Sequence, residues 1–497
     1  MIAPWVDEEM SAVNLGDVRL DARSAVLLSS LGDRPNLSIP AACRGRAEME
    51  AAYRFFDNDK VTFEKVLAPH IERTIERAAQ EQVVLLVQDT SEMDLTRPNS
   101  VVKGVGTLDG SRRGFLLHEM QAFTPQGVPL GTAWAKILNR PEGAPKASAK
   151  TRNERQQTPI EEKESFRWLE GMRQAREVAQ RLPGVTCVCI GDSEADIYEV
   201  FAEPRGEHAV HQLIRACQNR ALDKSSEQDS EQNSQQETQQ EEEQEGEESR
   251  LLREQVMKAP VLYKMTLAVR GRKAKTGAET RGRRQSRENR QADVEVRAAT
   301  VTLRPPWRPD RTLPPVTVNV VLVSEPNPPP GEPKIEWILV TTLPIETLEQ
   351  VRLIVEYYCI RLSIEILFRT LKSGCRIEER RFETMDRILP CLGLMLIVAW
   401  RTLFVCRLGR SCPDIDCEAV FEPCEWRAVW VAVHGKKAPT KAPKLAEMVH
   451  LIAQLGGYVE RPKNEPGVQT LWIGMQRMYD LAWAWNTFGP GGKIESS

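Results

Sequence analysis

The 497-residue sequence has no uninterrupted apolar stretch of membrane-spanning length. Its longest, Cys391 to Trp400, stops at Arg401, well short of the roughly 20 residues that a bilayer-crossing helix needs. The start, MIAPWVDEEM, is acidic and lacks the basic-then-apolar layout of a secretory leader. Eleven cysteines, an odd number scattered along the chain, do not form a disulfide framework and point to a reducing cytoplasm. Cys412, Cys417 and Cys424 have gaps that fit no common zinc pattern. No internal repeat is evident. What is present is an ordinary apolar content of 41% and length enough for two to four domains, each with its own core.

A net charge of −3 conceals a strong polarity of composition. Residues 225–249 carry ten carboxylates and no Lys or Arg, so the remainder of the chain stands at +7. Residues 270–290 carry nine basic side chains against two acidic ones. The acidic tract reads as a solvated low-complexity loop. The basic tract is dense enough in like charge to suit a polyanion.

Along the chain, residues 1–75 read as a small helical unit, with Asn36-Leu37-Ser38 offering a cap and Arg44, Arg46 and Arg54 supplying positive charge. A linking helix follows. Val83–Val87 is a short buried strand, with Asp89 just beyond it. GFLLHEMQAFTP and GVPLGTAWAKIL read as antiparallel strands. A polar helix then leads to a second buried strand, Cys187–Ile190, again followed by a carboxylate, Asp192. Cys187 and Cys189 read as core residues, and His118 as a satisfied imidazole rather than a general base. Residues 205–335 are β-rich and turn-rich, a strand insertion interrupted by the two charged tracts. Trp337–Ile345 is another apolar strand. A helix begins near Glu346, and 379–497 is mostly helical. The fold class is α/β.

One helical segment concentrates the chemistry. Taking Tyr358 as zero and about 100° per residue, Arg361, Glu365 and Lys372 fall at roughly −60°, −20° and −40°. Ile360, Ile364, Leu367 and Leu371 form an apolar stripe on the other side. The spacing predicts a helix that docks through its aliphatic side and shows outward one carboxylate, two cations and a phenol. Such a row suits a metal and a phosphate backbone.

Asp89 and Asp192, each just past a buried strand, and Glu365 on a later helix make a set of three carboxylates in the order of a ribonuclease-H-like fold. Oxygen ligands without Cys or His favour hard divalent cations, Mg²⁺ or Mn²⁺, over Zn²⁺. Two such ions a few ångströms apart serve phosphoryl transfer. Singly, each residue has an ordinary alternative. Asp89 suits a turn cap, Asp192 a helix N-terminus, and Glu365 an intrahelical ion pair with Arg361 or Arg369.

The spacing Tyr358-x2-Arg361-x3-Glu365-x6-Lys372 resembles the Y-R-E-K signature of bacterial cut-and-paste DDE transposases, in particular the transposon-five, insertion-sequence-four type. Further similar stretches run nearly end to end: LGDVRLDAR, AAYRFF, QDTSEMDLT, GDSEADIYEVF, KIEWILVTTLPIE, LIAQLGGYVER and QTLWIGMQRM. The Gln/Glu tract stands outside the resemblance. One departure is Leu362, where a member of that family has a tryptophan right after the signature arginine.

The resemblance implies a ribonuclease-H-like catalytic core over 76–378 with a β insertion at 205–335. A helical DNA-end-binding domain (1–75) and a helical dimerisation and synapsis domain (379–497) would flank it. Asp89, Asp192 and Glu365 would hold two Mg²⁺ ions, with Mn²⁺ as a substitute. Tyr358, Arg361 and Lys372 would hold phosphates near the scissile bond, Trp337 would stack on an extruded base, and Arg215, Arg220, Arg44 and Arg54 would contact DNA. The implied activity is nicking at terminal inverted repeats, a hairpin intermediate, and joining of 3′-hydroxyl ends to target DNA by a homodimer. It would take place in a bacterial cytoplasm in association with the nucleoid, without a membrane partner. Two other readings of the same residues are a catalytically silent DNA-end-binding protein and a structure-specific nuclease of the same fold.

Overall fold

The computed structural model describes residues 2–43, 45–141, 151, 154, 157–206, 210–223, 251–269, 271, 288–461 and 464–490. Arg44, the acidic tract 225–249 and the basic tract apart from 271 and 288–290 lie outside the described residues. The chain forms two compact units. One combines 1–149, 180–185 and 360–497, and the other combines 150–179 and 186–359.

The first unit begins with helices Pro4–Glu9, Val18–Asp33, Ile39–Ala42, Arg46–Phe56 and Phe63–Ala78. The side chains of Asp17 and Thr62 cap the second and the last of these by accepting backbone N–H bonds. Four strands follow: β1 (Val83–Asp94), β2 (Thr107–Asp109), β3 (Arg112–Phe123) and β4 (Pro129–Leu138). β3 pairs antiparallel with β1, β2 and β4. It is buried without a break from Gly114 to Phe123. Helix Phe63–Ala78 lies on β4. The approach is close: at Gly131, φ is +139° and an added Cβ would stand 2.0 Å from Thr74 Oγ1.

A buried polar network fastens the first helix to this layer. Glu9 takes hydrogen bonds from His70 Nδ1 and Arg77 Nη1, each at 2.5 Å, and Thr132 N donates to His70 Nε2 at 3.1 Å. The acceptor role of Nε2 places the imidazole proton on Nδ1, facing Glu9. Burial pushes the His70 pKa down, in keeping with a neutral ring. Burial alone would raise Glu9, but His70 and Arg77 beside it bring it below its ordinary value.

Helix Met385–Ser411 is long and apolar enough to cross a membrane by composition alone, which corrects the expectation that no segment is. Pro390 and Arg401 interrupt its sequence without ending the helix, and its most apolar window is 89% buried inside the protein. It packs on helices Val18–Asp33, Arg46–Phe56 and Phe63–Ala78, on β4, and on two helices that follow it in sequence, Leu445–Leu455 and Val468–Phe488. Those two, with Pro423–His434, build a core from Trp426, Met448, Ile452, Leu471 and Met478. Where Leu445–Leu455 meets Val468–Phe488, the backbones touch. A Cβ on Gly474 would lie 1.8 Å from Ile452 O, and one on Gly456 1.8 Å from Thr470 O.

Among the described residues, the second unit contains helix Phe166–Gln180 and six strands: β5 (Thr186–Gly191), β6 (His211–Arg215), β7 (Tyr263–Val269), β8 (Arg290–Leu303), β9 (Val316–Ser324) and β10 (Glu336–Thr341). β5 runs parallel to β6. β6 pairs antiparallel with β10, and β10-β9-β8-β7 continue as an antiparallel sheet. Cys187 and Cys189 are buried on β5. None of the eleven cysteines is in a disulfide.

Candidate active site

The first unit brings Asp89 and Glu365 to a single guanidinium. Asp89 follows the fully buried run Val84–Val87 on β1. Its side chain, 16% exposed, emerges at the point where that strand leaves the core. Arg361 Nη1 donates to Asp89 Oδ2 at 3.4 Å, and Nη2 donates to Glu365 Oε1 at 2.5 Å. Arg361 and Glu365 are four residues apart on a helical stretch, so they share a face. Arg361 is 7% exposed and Glu365 55% exposed. A cation therefore already sits between two carboxylates that lie far apart in sequence.

The helical segment does not present its polar row to solvent as expected. Leu348–Ile360 and Leu362–Arg369 are α-helical and Thr370–Gly374 forms a π turn. Ile364, Leu367 and Leu371 are buried, as the apolar stripe requires, but Tyr358 and Arg361 are buried too. Leu362 is exposed instead. The reason is pairing: the Arg361 charge is met by Asp89 and Glu365, and the Tyr358 ring packs edge-on against Trp337, centroids 5.4 Å apart. Lys372 reaches back to β1, donating to Glu92 O and lying 3.5 Å from Glu378. Glu378 in turn accepts from Asp94 N at 2.9 Å.

Behind Asp89 lies a group that sequence reading missed. Glu119 on β3 stands directly opposite Asp89 in the strand register. It is wholly buried, and it accepts a hydrogen bond from Thr132 Oγ1 at 2.7 Å. Burial pushes its pKa up to about 8, the Thr132 bond opposes this, and the Asp89 charge adds to the rise. The clue was a carboxylate inside the otherwise apolar strand GFLLHEMQAF. The neighbouring His118 is also buried, bonded to Thr90 Oγ1 at 2.8 Å and Gln88 Oε1 at 3.1 Å, a satisfied imidazole.

In the second unit, Asp192 follows β5 and caps a short turn, accepting from Glu194 N at 2.7 Å. Arg215 donates to Ser193 Oγ at 3.1 Å. Arg220 is not offered to solvent. Its side chain is 8% exposed and holds buried Asp196 through two hydrogen bonds, at 2.6 and 3.1 Å. Asp196 needs that cation because it is itself fully enclosed. Among the described residues, no three His, Cys, Asp or Glu side chains stand close enough to share one ion.

The first unit also carries two adjoining basic clefts. One of about 480 Å³ is lined by Ser38, Tyr53, Arg376, Arg380 and Arg381. The second, about 370 Å³, is lined by Tyr53, Arg54, Asp57, Arg381 and Arg387. Arg376 adopts a left-handed backbone, φ 52°, which a non-glycine residue rarely takes. Buried Arg380 donates to the carbonyls of Pro35 and Leu37, so the N-terminal helices and the segment after the π turn form one wall.

Three family descriptions match the chain in succession. Transposase DNA-binding covers residues 2–61, Transposase DDE domain covers 169–400, and Transposase Tn5 dimerisation domain covers 397–483. Asp192 and Glu365 fall within the DDE match and Asp89 precedes it. The mixed α/β architecture and this match define a DDE transposase, a DNA-cutting and DNA-joining enzyme built on a ribonuclease-H-like core. With its DNA-binding region before that core and its dimerisation region after it, the chain belongs to the Tn5-type DDE transposases.

Proposed function

We propose that this transposase binds the terminal inverted repeats of its element and cleaves them through a hairpin intermediate. The freed 3′-hydroxyl ends then join to target DNA. In this reading Asp89, Asp192 and Glu365 hold the divalent cations, two Mg²⁺ ions that Mn²⁺ can replace. The observation that carries it is the guanidinium of Arg361 shared by Asp89 and Glu365. A site that gathers hard oxygen ligands around positive charge is chemically suited to such ions. Bound there, a divalent cation supplies charge at the scissile phosphate and lowers the pKa of an attacking water.

The protein's own side chains position the DNA. Arg361 turns from the carboxylates to a phosphate when the site is loaded, and Lys372 takes a neighbouring phosphate. Trp337, steadied by the edge of Tyr358, offers its face to a base turned out of the helix. Stacking of this kind is worth roughly 1–3 kcal/mol, enough to favour the extruded base while the hairpin closes. Arg54 and the clefts beside it, with Arg44, track the backbone of the element end, and Arg215 does so from the second unit. Arg220 acts through Asp196, by fixing the loop after β6, rather than by touching DNA. Residues 1–75 then serve end recognition, 76–378 catalysis and 379–497 synapsis of two ends by a homodimer. The setting is the bacterial cytoplasm, at the nucleoid.

The test is to replace Asp89 or Asp192 by Asn, or Glu365 by Gln, and to measure nicking and end binding separately. Cleavage is lost and gel-shift affinity for the end is kept. Full cleavage by any of the three in Mg²⁺ refutes the assignment. A wild-type protein that binds ends but never cuts would instead mark a silent end-binding protein. One that cuts single unpaired ends without joining them would be a nuclease.

A further inference from the structure

The loop between helices Pro423–His434 and Leu445–Leu455 carries Lys436, Lys437, Lys441 and Lys444, all exposed. From Trp426 to Ala446 the sequence has no Asp or Glu. Only Lys444 finds an acid, Asp414, at 2.5 Å. Among the described residues, no ion pair forms on Lys436, Lys437 or Lys441. Exposed arginines such as Arg19, Arg46, Arg112 and Arg311 are by contrast each matched to a carboxylate.

The loop is also held in place. Gly435 ends the preceding helix with φ 62°. Cys417 N donates to Pro443 O at 3.1 Å and Leu445 N to Ile415 O at 2.8 Å. Cys417 and Leu445 are themselves fully buried, and Pro439 and Pro443 limit the backbone further. Three like charges thus stand on a short, anchored arc, with no ion-pair partner among the described residues.

We propose that this lysine loop is a contact surface for the phosphate backbone of duplex DNA, lying within the region matched only to a dimerisation family. It rests on the chain being a DNA transposase. Residues 436–441 span at most about 17 Å when extended, and duplex DNA carries a charge every ~1.7 Å of axis, so several phosphates lie within reach of three ammonium groups. Lysines act here as point charges without base preference. The duplex is either the inner part of an element end or the target. The chemistry is the same, and the experiment separates them.

The full-length protein and its K436A/K437A/K441A variant are titrated, in EDTA, with two duplexes of equal length. One carries the inverted repeat read from DNA flanking the coding region, the other its scrambled sequence. The logarithm of affinity is plotted against the logarithm of KCl concentration. Each lost phosphate contact flattens the slope by about 0.9, so the variant's slope is less steep by two to three units. Replacing the three lysines by arginine restores it. Flattening only on the repeat duplex assigns the loop to the element end. Flattening only on the scrambled duplex assigns it to the target, and flattening on both to a contact shared by the two. An unchanged slope on both duplexes, with the wild type binding normally, overturns the proposal. An unchanged slope with weaker self-association in sedimentation also overturns it, and gives the loop to a second copy of the chain. A wild type that binds neither duplex removes the transposase reading itself, and this proposal with it.

Discussion

Replacing Arg361 by Ala should tighten the binding of a divalent cation to the DNA-free protein. The guanidinium occupies both Asp89 and Glu365, so a cation that needs those carboxylates must first displace it. The Glu365 arm is short, but that side chain is 55% exposed, so it contributes only about 0–1 kcal/mol. The Asp89 arm is longer, at 3.4 Å, and better shielded, and a charge-assisted bond of that kind contributes about 1–2 kcal/mol. The competitor is therefore worth about 1–3 kcal/mol. Since 1.4 kcal/mol is tenfold in affinity, R361A should bind Mn²⁺ about 5- to 100-fold more tightly than the wild type. Calorimetric titration or the Mn²⁺ spin-resonance signal measures this directly. R361K, which keeps a charge but loses the two-pronged geometry, should fall between them. D89N and E365Q should bind more weakly whatever stands at 361. Equal Mn²⁺ affinity for wild type and R361A would show that the guanidinium does not compete for the metal ligands.

Glu119 makes stability depend on pH. An acid whose folded pKa is raised holds its proton more tightly when folded. Its contribution is complete below the unfolded value near 4.5 and fades as pH climbs towards about 8. Wild-type stability to urea should fall by up to about 5 kcal/mol across that window, and E119Q should remove most of the fall. Gly474→Ala pushes a methyl into the Ile452 carbonyl, so it should destabilise the C-terminal helices by about 2–3 kcal/mol and weaken dimers without changing the carboxylate site. Leu471→Ala, wholly buried in the same core, should cost about 2–5 kcal/mol in urea unfolding. Arg54→Ala, at the rim of the second cleft, should weaken end binding while stability stays within about 0.5 kcal/mol.

The chain marks the residues of the proposed site locally. A five-residue apolar run just before an acid pointed to Asp89, and a four-residue run pointed to Asp192. Fixed spacing located Tyr358, Arg361, Glu365 and Lys372 on one helical segment. The misreading concerned exposure. Periodicity tells which side chains are apolar, but Arg361 and Tyr358 are covered because partners from β1 and β10 meet them, and those partners are remote in sequence. The same limit hid the fate of Arg220, whose basic character suggested DNA until Asp196 proved to be enclosed beside it. Helix Met385–Ser411 was undervalued because Arg401 seemed to end its apolar run. That guanidinium lies over the rings of Trp5 and Phe404 and donates to Val420 O, so the helix carries the charge inside the protein. The grouping of 1–149 with 360–497 could not be read as a linear boundary, since its two halves are separated by the whole of the second unit.

That grouping has a consequence for how the protein is made. The helices at the amino terminus and β4 rest on Met385–Ser411, a segment the ribosome delivers only after most of the polypeptide has emerged. Until then the nascent chain displays the sticky surfaces that this helix will later cover. The earliest-synthesised part must therefore wait, shielded by chaperones or kept apart from its fellows, for one of the last parts to arrive. Truncated products ending before residue 385 should accordingly aggregate rather than persist as folded fragments.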